Sequence, residues 1–308
     1  MSKENKFKNK FLIIMYHQII KSKKYFNGIK LVSFKKQILY FKKNYNILTP
    51  SEFYKKLKTK KFKKSDCILT FDDGYRSQYK YAYKILNKYN LKGFFFPMVL
   101  SPKKKGLHLV NKIHLILKFN KNKNQLLDYI KNYVKNEDYQ VFLGLQNKIK
   151  KIETSGFYDS KIEIIIKRLL QRELPIYLSE NICNKLFKKT KINREIIKKF
   201  YISNNELKKM SKDGHEIGAH TLDHPWLSKL NENSQIQEIN KSVIKLKKMG
   251  LIKKNWSFCY PYGDYNRLTL KILKKLNCSA AFKIGNKPNN LKNLKKFELN
   301  RVDCNVFK

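Results

Sequence analysis

Cysteine, arginine and long apolar runs are what this chain lacks. Its five Cys (67, 183, 259, 278 and 304) are odd in number, scattered and never in Cys-x-x-Cys spacing, which excludes a disulfide framework and a zinc knuckle. Only six of 68 basic residues are Arg (76, 168, 172, 194, 267 and 301), so the net charge of +45 does not read as specific nucleic-acid binding. Base edges and bidentate phosphate contacts favour the guanidinium. The Lys are spread along the chain among abundant Asn, Ile, Tyr and Phe, the composition an A/T-rich coding sequence produces. So positive a surface still favours anionic partners, such as nucleotide-linked or phosphate-bearing sugars and, peripherally, an anionic membrane surface. The apolar run Phe11 to Tyr16 is too short for an export or membrane segment and Met1 to Lys10 is polar, so the protein is expected in the cytoplasm. No internal repeat is evident.

What is present is organised around Ile68-Leu69-Thr70-Phe71-Asp72-Asp73-Gly74-Tyr75. An apolar, β-prone run meets two acids and a glycine, and an amphipathic helical pattern follows from Tyr75 to Lys88. In a regular strand Asp72 and Asp73 would face opposite ways. At a strand end, with Gly74 free to take positive φ, both carboxylates can converge, one to bind a metal and one to handle protons. The pair could equally cap the following helix. A second stretch, Gly214-His215-Glu216-Ile217-Gly218-Ala219-His220-Thr221-Leu222-Asp223-His224-Pro225, tips the balance. His220 and His224 are four apart, the spacing that puts two imidazoles on one side of a helical turn; with one carboxylate they suit a divalent ion that keeps a position open for water. The third piece, Phe258-Cys259-Tyr260-Pro261-Tyr262-Gly263, is a strand broken by Pro and Gly, where a backbone N–H can face a developing oxyanion.

Strands are expected at 11–16, 46–49, 67–71, 91–99, 215–219, 256–260, 279–284 and 297–303. Helices are expected at 34–43 with Ser33 as cap, 51–58, 75–88, 204–211, 233–249 and 266–276. This alternation implies a mainly parallel sheet with functional groups at the C-terminal strand ends, where His17, Asp72, Asp73 and the Tyr260 turn all fall. Residues 103–200 interrupt it with Lys-rich amphipathic segments, read as a helical insertion in a single domain of 1–308. The insertion is expected near the site mouth, as a substrate-choosing element or a plain structural cap. His108 and His114 read as surface or packing residues, and His215, at the start of its strand, as structural.

In this order the three pieces resemble the polysaccharide deacetylase family (NodB-homology domain, carbohydrate esterase family four), over residues 11–100 and 200–303. Thr70 to Gly74 is similar to its first motif, His220 to His224 to its second, and Tyr260 to Gly263 to a variant of its third. The resemblance implies a distorted (β/α) barrel, a divalent metal ion (zinc, with cobalt or nickel as alternatives) on Asp73, His220 and His224, and Asp72 as general base. It also implies that the backbone N–H of Tyr262 meets the oxyanion. Many members carry a catalytic His after the third motif, where this chain has none. Met15-Tyr16-His17 resembles the branch, exopolysaccharide N-deacetylases among them, whose acid His follows the first strand, so His17 takes that role. Family members commonly have an Arg two residues before the Pro of the third motif; here that position is Cys259, and Arg301 is the candidate to orient Asp72 instead. Tyr260, Pro261 and Trp226 are the candidate substrate contacts, although Trp226 could equally pack beside Leu227 and Leu230. The substrate implied is an N-acetylated (or O-acetylated) sugar, nucleotide-linked or lipid-linked, in surface polysaccharide assembly. A non-catalytic sugar-binding relative and a nucleic-acid binder are the competing readings.

Overall fold

The computed structural model describes residues 7, 9–22, 26–99, 106–154, 159–252 and 254–307. Positions 103–105 and 155–158 of the expected insertion lie outside them. The chain forms two compact units, one from 1–104 with 198–308 and one from 105–197.

Among the described residues the first unit carries ten strands: β1 (Leu12–Tyr16), β2 (Ile19–Ile20), β3 (Ile29–Lys30), β4 (Asn46–Ile47), β5 (Asp66–Asp73), β6 (Phe94–Pro97), β7 (Glu216–Ile217), β8 (Ser257–Cys259), β9 (Ala280–Ile284) and β10 (Leu299–Asp303). The main sheet runs β7-β6-β5-β1-β10-β9-β8, with β4 beside the start of β5, and every strand pairing in it is parallel. Just past β7, the Ala219 N–H donates to the Ser257 carbonyl at 2.9 Å, and the Cys259 N–H donates to the Ala219 carbonyl at 2.9 Å. The sheet's two edges meet there, giving a distorted (β/α) barrel of parallel strands.

Period-two alternation sorts the strand residues into two cores. Leu12, Ile14 and Tyr16 of β1, Cys67, Leu69 and Phe71 of β5, and Phe258 join the core shared with the helices. Ile13, Ile68, Phe94, Phe96, Cys259, Phe282 and Leu299 form a second cluster that fills the barrel, joined by Phe53 and Phe62. Thr70 and Asp72 share the parity of Ile68, and Arg301 shares that of Leu299, so the polar groups continue the lumen column towards the C-terminal strand ends.

Local chemistry explains the helix boundaries and their departures from expectation. Helix Pro50–Thr59 starts on a capping box, Thr49 accepting from the Glu52 N–H while Glu52 accepts from the Thr49 N–H. Ser203 and Glu206 do the same for Asn204–Lys212. The helix expected from Phe34 instead spans Leu31–Asn44, so Ser33 lies inside it, and Lys30 at the N-cap supplies no side-chain bond. The expected helix 75–88 is a π-helical stretch, Gln78–Tyr83, running into Lys84–Lys88.

The second unit is helical: Leu109–Phe119, Lys123–Glu137, Tyr139–Lys150, Lys161–Arg168 and Ile176–Lys189 lead it. These helices enclose their own core, including Ile113, Ile116, Ile130, Val134, Leu169 and Ile182. Among the described residues, no helix is long and apolar enough to cross a membrane.

Candidate active site

β5 delivers Asp72 into the barrel by parity, and Asp73 escapes the opposite face because its own φ is +72°. Gly74 follows at φ +66°, where a Cβ would sit 2.7 Å from the Cβ of Pro97. Both the backbone and the space therefore demand glycine there. Thr221, His224 and Tyr262 are also left-handed, with φ of 61°, 58° and 58°. Such conformations cost about 1–3 kcal/mol each for non-glycine residues, and they persist where surrounding contacts over-determine them.

These contacts are visible. Residues 220–225 form no helix, which corrects the expectation drawn from the four-residue spacing of the histidines. The loop is shaped by Glu238, whose Oε2 accepts from the N–H groups of Leu222 (3.1 Å) and Asp223 (3.0 Å). Thr221 Oγ1 accepts from the His224 N–H at 3.1 Å. In that fold the two imidazoles meet edge to face, 4.8 Å between ring centres.

Asp73 Oδ1 lies 3.3 Å from His220 Nε2 and 3.5 Å from His224 Nε2, all three side chains being buried. Donor atoms of the three residues fall within 4.8 Å of one another. His220 Nδ1 is 2.7 Å from the carbonyl of Cys259; since a carbonyl only accepts, Nδ1 carries a proton, which leaves Nε2 as the ring atom that would face an ion. Neither Asp73 Oδ1 nor His220 Nε2 has a well-aligned hydrogen-bond partner among the described residues. A buried carboxylate oxygen and an oriented imidazole nitrogen left in this way fit a divalent ion that takes nitrogen and oxygen ligands. Burial pushes the Asp73 carboxyl up, but the His220 and His224 imidazoles outweigh it and hold the group well below the usual carboxylate range.

A second potential ligand set, Asp72, His220 and Cys259, fits an ion less well. Burial pushes the Cys259 thiol up, away from the thiolate a metal needs. Asp72 has other partners: Arg301 Nη1 donates to its Oδ1 at 2.6 Å, and the Cys259 thiol donates to its Oδ2 at 3.5 Å. Arg301 is fully buried and also donates to Thr70 Oγ1 at 3.3 Å. Burial raises the Asp72 carboxyl, and the adjacent guanidinium more than reverses this, so its pKa is lowered. The guanidinium thus reaches Asp72 from β10. His17, just past β1 and with its side chain 42% exposed, places Nε2 3.8 Å from Asp72 Oδ2.

The third turn contributes unevenly. Tyr262 packs edge-on to the His224 ring at 4.5 Å and stacks on Trp226 at 4.6 Å with 9° between planes, both residues half-buried. Tyr260, expected to touch substrate, is instead fully buried, its hydroxyl donating to the Phe297 carbonyl at 2.8 Å and its ring stacked on Tyr265. Strand parity sends its side chain to the helix-side core. Pro261 is buried too. Glu238 and Gln78 went unread in the sequence, where nothing signals them; Thr70 and Cys259 were read only as motif positions, without the contacts their side chains make to Arg301 and Asp72.

Comparison with known proteins places this geometry in context. The sequence profile described as polysaccharide deacetylase matches residues 59–114 and 185–281. The chain is similar in fold to the Streptococcus pyogenes deacetylase PplD in complex with acetate, at 20% identity and a TM-score of 0.57 over 96% of this chain and 92% of that one. It is likewise similar to a de-N-acetylase from Aggregatibacter actinomycetemcomitans, at 16% identity and a TM-score of 0.54 over 96% and 95%. The uncharacterized protein YlxY of Bacillus subtilis (strain 168) is 34% identical over 65 residues, 21% of this chain. The chain thus spans about a fifth of that relative's length, 20%.

Proposed function

We propose, from the premise that this chain belongs to the polysaccharide deacetylase family, that it is a metal-dependent hydrolase removing the N-acetyl group from a sugar or glycan intermediate. The observation that carries this reading is the Asp73, His220 and His224 cluster beside a separately held carboxylate, Asp72. Asp73 Oδ1, His220 Nε2 and His224 Nε2 would hold the ion. When bound, a zinc, cobalt or nickel ion supplies Lewis acidity to an acyl carbonyl and lowers the pKa of a water from 15.7 towards roughly 7.

The chain's own groups do the rest. Asp72, kept ionised by Arg301, takes the proton of the attacking water. The backbone N–H of Tyr262, on a left-handed turn, faces the oxyanion as it develops. His17 gives a proton to the departing amine, so acetate and a free amino sugar result. Trp226 and Tyr262 offer a stacked aromatic pair for a sugar face. The substrate class favoured is a nucleotide-linked or lipid-linked intermediate of surface polysaccharide assembly, which suits the positive charge. Five free cysteines suit a reducing, cytoplasmic setting.

The test pairs metal analysis of purified protein with acetate release from a panel of N-acetylated sugars. Asp72→Asn should keep the metal and lose about 10²-fold or more in turnover, whereas His220→Ala should lose both. Acetate release undiminished in both variants would end the proposal.

A further inference from the structure

β1 stops at Tyr16, so the barrel ladder does not hold His17. Its exposed side chain must nevertheless meet Asp72, on the neighbouring strand, for a proton to be delivered where the base has worked. Two side chains from the segment after Gly74 make the link. Ser77 Oγ accepts from the Ile19 N–H at 3.2 Å. Gln78, fully buried, donates from a single Nε2 to two carbonyls, that of His17 at 3.1 Å and that of Asp72.

A planar amide with two N–H groups in fixed geometry is a rigid fork. It ties the backbone of one residue to the backbone of the other, and their side chains then stand 3.8 Å apart. Gln78 opens the π-helical stretch Gln78–Tyr83, a wider turn than an α-helix and a feature often found at functional sites. Its own N–H donates to the Tyr75 carbonyl at 2.8 Å, so the fork is anchored to the segment that follows the paired carboxylates.

We infer that Gln78 is a positioning residue, setting the distance between His17 and Asp72 through their main-chain carbonyls. The inference rests on the reading of His17 as the acid for the leaving amine. A buried glutamine could serve stability alone, and the two roles differ in what they slow. A residue acting through the acid matters for a leaving group that needs a proton, and not for one that departs as a stable anion.

The deciding variant is Gln78→Met, which keeps the length of the side chain and removes both N–H donors. The probes are the panel of N-acetylated sugars and oligosaccharides above and 4-nitrophenyl acetate, whose phenolate leaves unprotonated. With metal-loaded protein, kcat for acetate release from the sugars should fall about 10- to 100-fold with KM little changed, the scale of a misplaced general acid. Hydrolysis of 4-nitrophenyl acetate should stay within about threefold, since no acid is needed there. In a His17→Ala background the same change should cost almost nothing further, because the two residues act as one unit. A crystal structure of the variant should show His17 displaced from Asp72 with Asp73, His220 and His224 in place. Equal losses on both kinds of substrate, a full additional loss without His17, or an unmoved His17 would each overturn the inference. Wild-type protein inactive on every probe would instead remove the deacetylase reading, and the inference with it.

Discussion

Strand β5 begins and ends with a buried aspartate, and the two ends are built on opposite principles. At its start Asp66 accepts from Lys56 Nζ on both oxygens (3.0 and 2.8 Å), from Asn46 Nδ2 (3.0 Å) and from the Lys63 N–H (2.7 Å). At its end Asp73 turns an oxygen with no well-aligned donor among the described residues towards two imidazole nitrogens. A carboxylate saturated by donors holds structure together. One left short of them, in a strained backbone, is poised for something else.

Exchanging each for a residue without its charge should therefore break different properties. Asp73→Asn keeps the side-chain shape and tolerates the left-handed backbone. It should strip the metal and reduce acetate release by about 10³-fold, equivalent to the several kcal/mol a bound ion supplies, yet leave the metal-free protein's unfolding midpoint where it was. Asp66→Ala leaves Lys56 unpaired, and should cost about 3–5 kcal/mol of stability while the folded fraction retains its metal stoichiometry. Denaturant titrations of both, with metal analysis alongside, decide the matter; equal destabilisation by the two changes would erase the distinction between the ends.

The same contrast shows what sequence could and could not convey. The run into Asp72, Asp73 and Gly74 was legible because strand parity and glycine's freedom are local properties. So was the alternation that gives the parallel sheet, whose closure into a barrel was implied only by the family resemblance. The histidine loop was not: a spacing of four suggested a helical turn, but Thr221 and His224 are left-handed and Glu238, from the following helix, holds the loop. Nothing near His220 encodes that partner. Tyr260 misled by adjacency to the Pro-Tyr-Gly turn, although strand parity with Phe258 would have sent it to the helix-side core, as Cys259 is sent into the barrel. Arg301 was reachable only through the gap at Cys259, since its distance from Asp72 along the chain hides a 2.6 Å contact.

That contact gives the next test, a carboxylate intermediate between the two ends. Asp72 is lowered by Arg301 against the effect of burial. In the proposed mechanism the base works ionised, so activity should be lost only as pH falls through this lowered pKa, below the ordinary carboxylate value. In Arg301→Met burial is opposed only by the weaker pull of His17 and His220, so the pKa rises and the acid limb of the pH–rate profile should move upward. Turnover near neutrality should drop about 10²-fold, a typical general-base loss, with partial recovery at higher pH. Adding Cys259→Arg, which returns a guanidinium from β8, should shift the limb back. An acid limb that stays put in Arg301→Met would mean that the guanidinium serves packing alone.

Histidines repeat the comparison on a smaller scale. His215 has both ring nitrogens engaged: Nδ1 accepts from the Gly93 N–H at 3.2 Å, so Nε2 carries the proton facing Asn87 Oδ1 at 3.0 Å. Protonating Nδ1 would break the first bond. Burial, then the nearby Lys92 ammonium, lowers its pKa from 6.5 to about 4. Because the folded value lies below the unfolded one, the unfolded chain takes up the proton first as pH falls. Stability is therefore whole above about pH 6.5 and drains away down to about pH 4, with about 2 kcal/mol lost between pH 7 and 5. His215→Met forgoes the hydrogen bonds at every pH, so it should start less stable and show a flatter slope across that window in denaturant midpoints. A parallel slope in the variant would mean that other groups drive the acid loss, and His215 would no longer stand as the satisfied counterpart of His220.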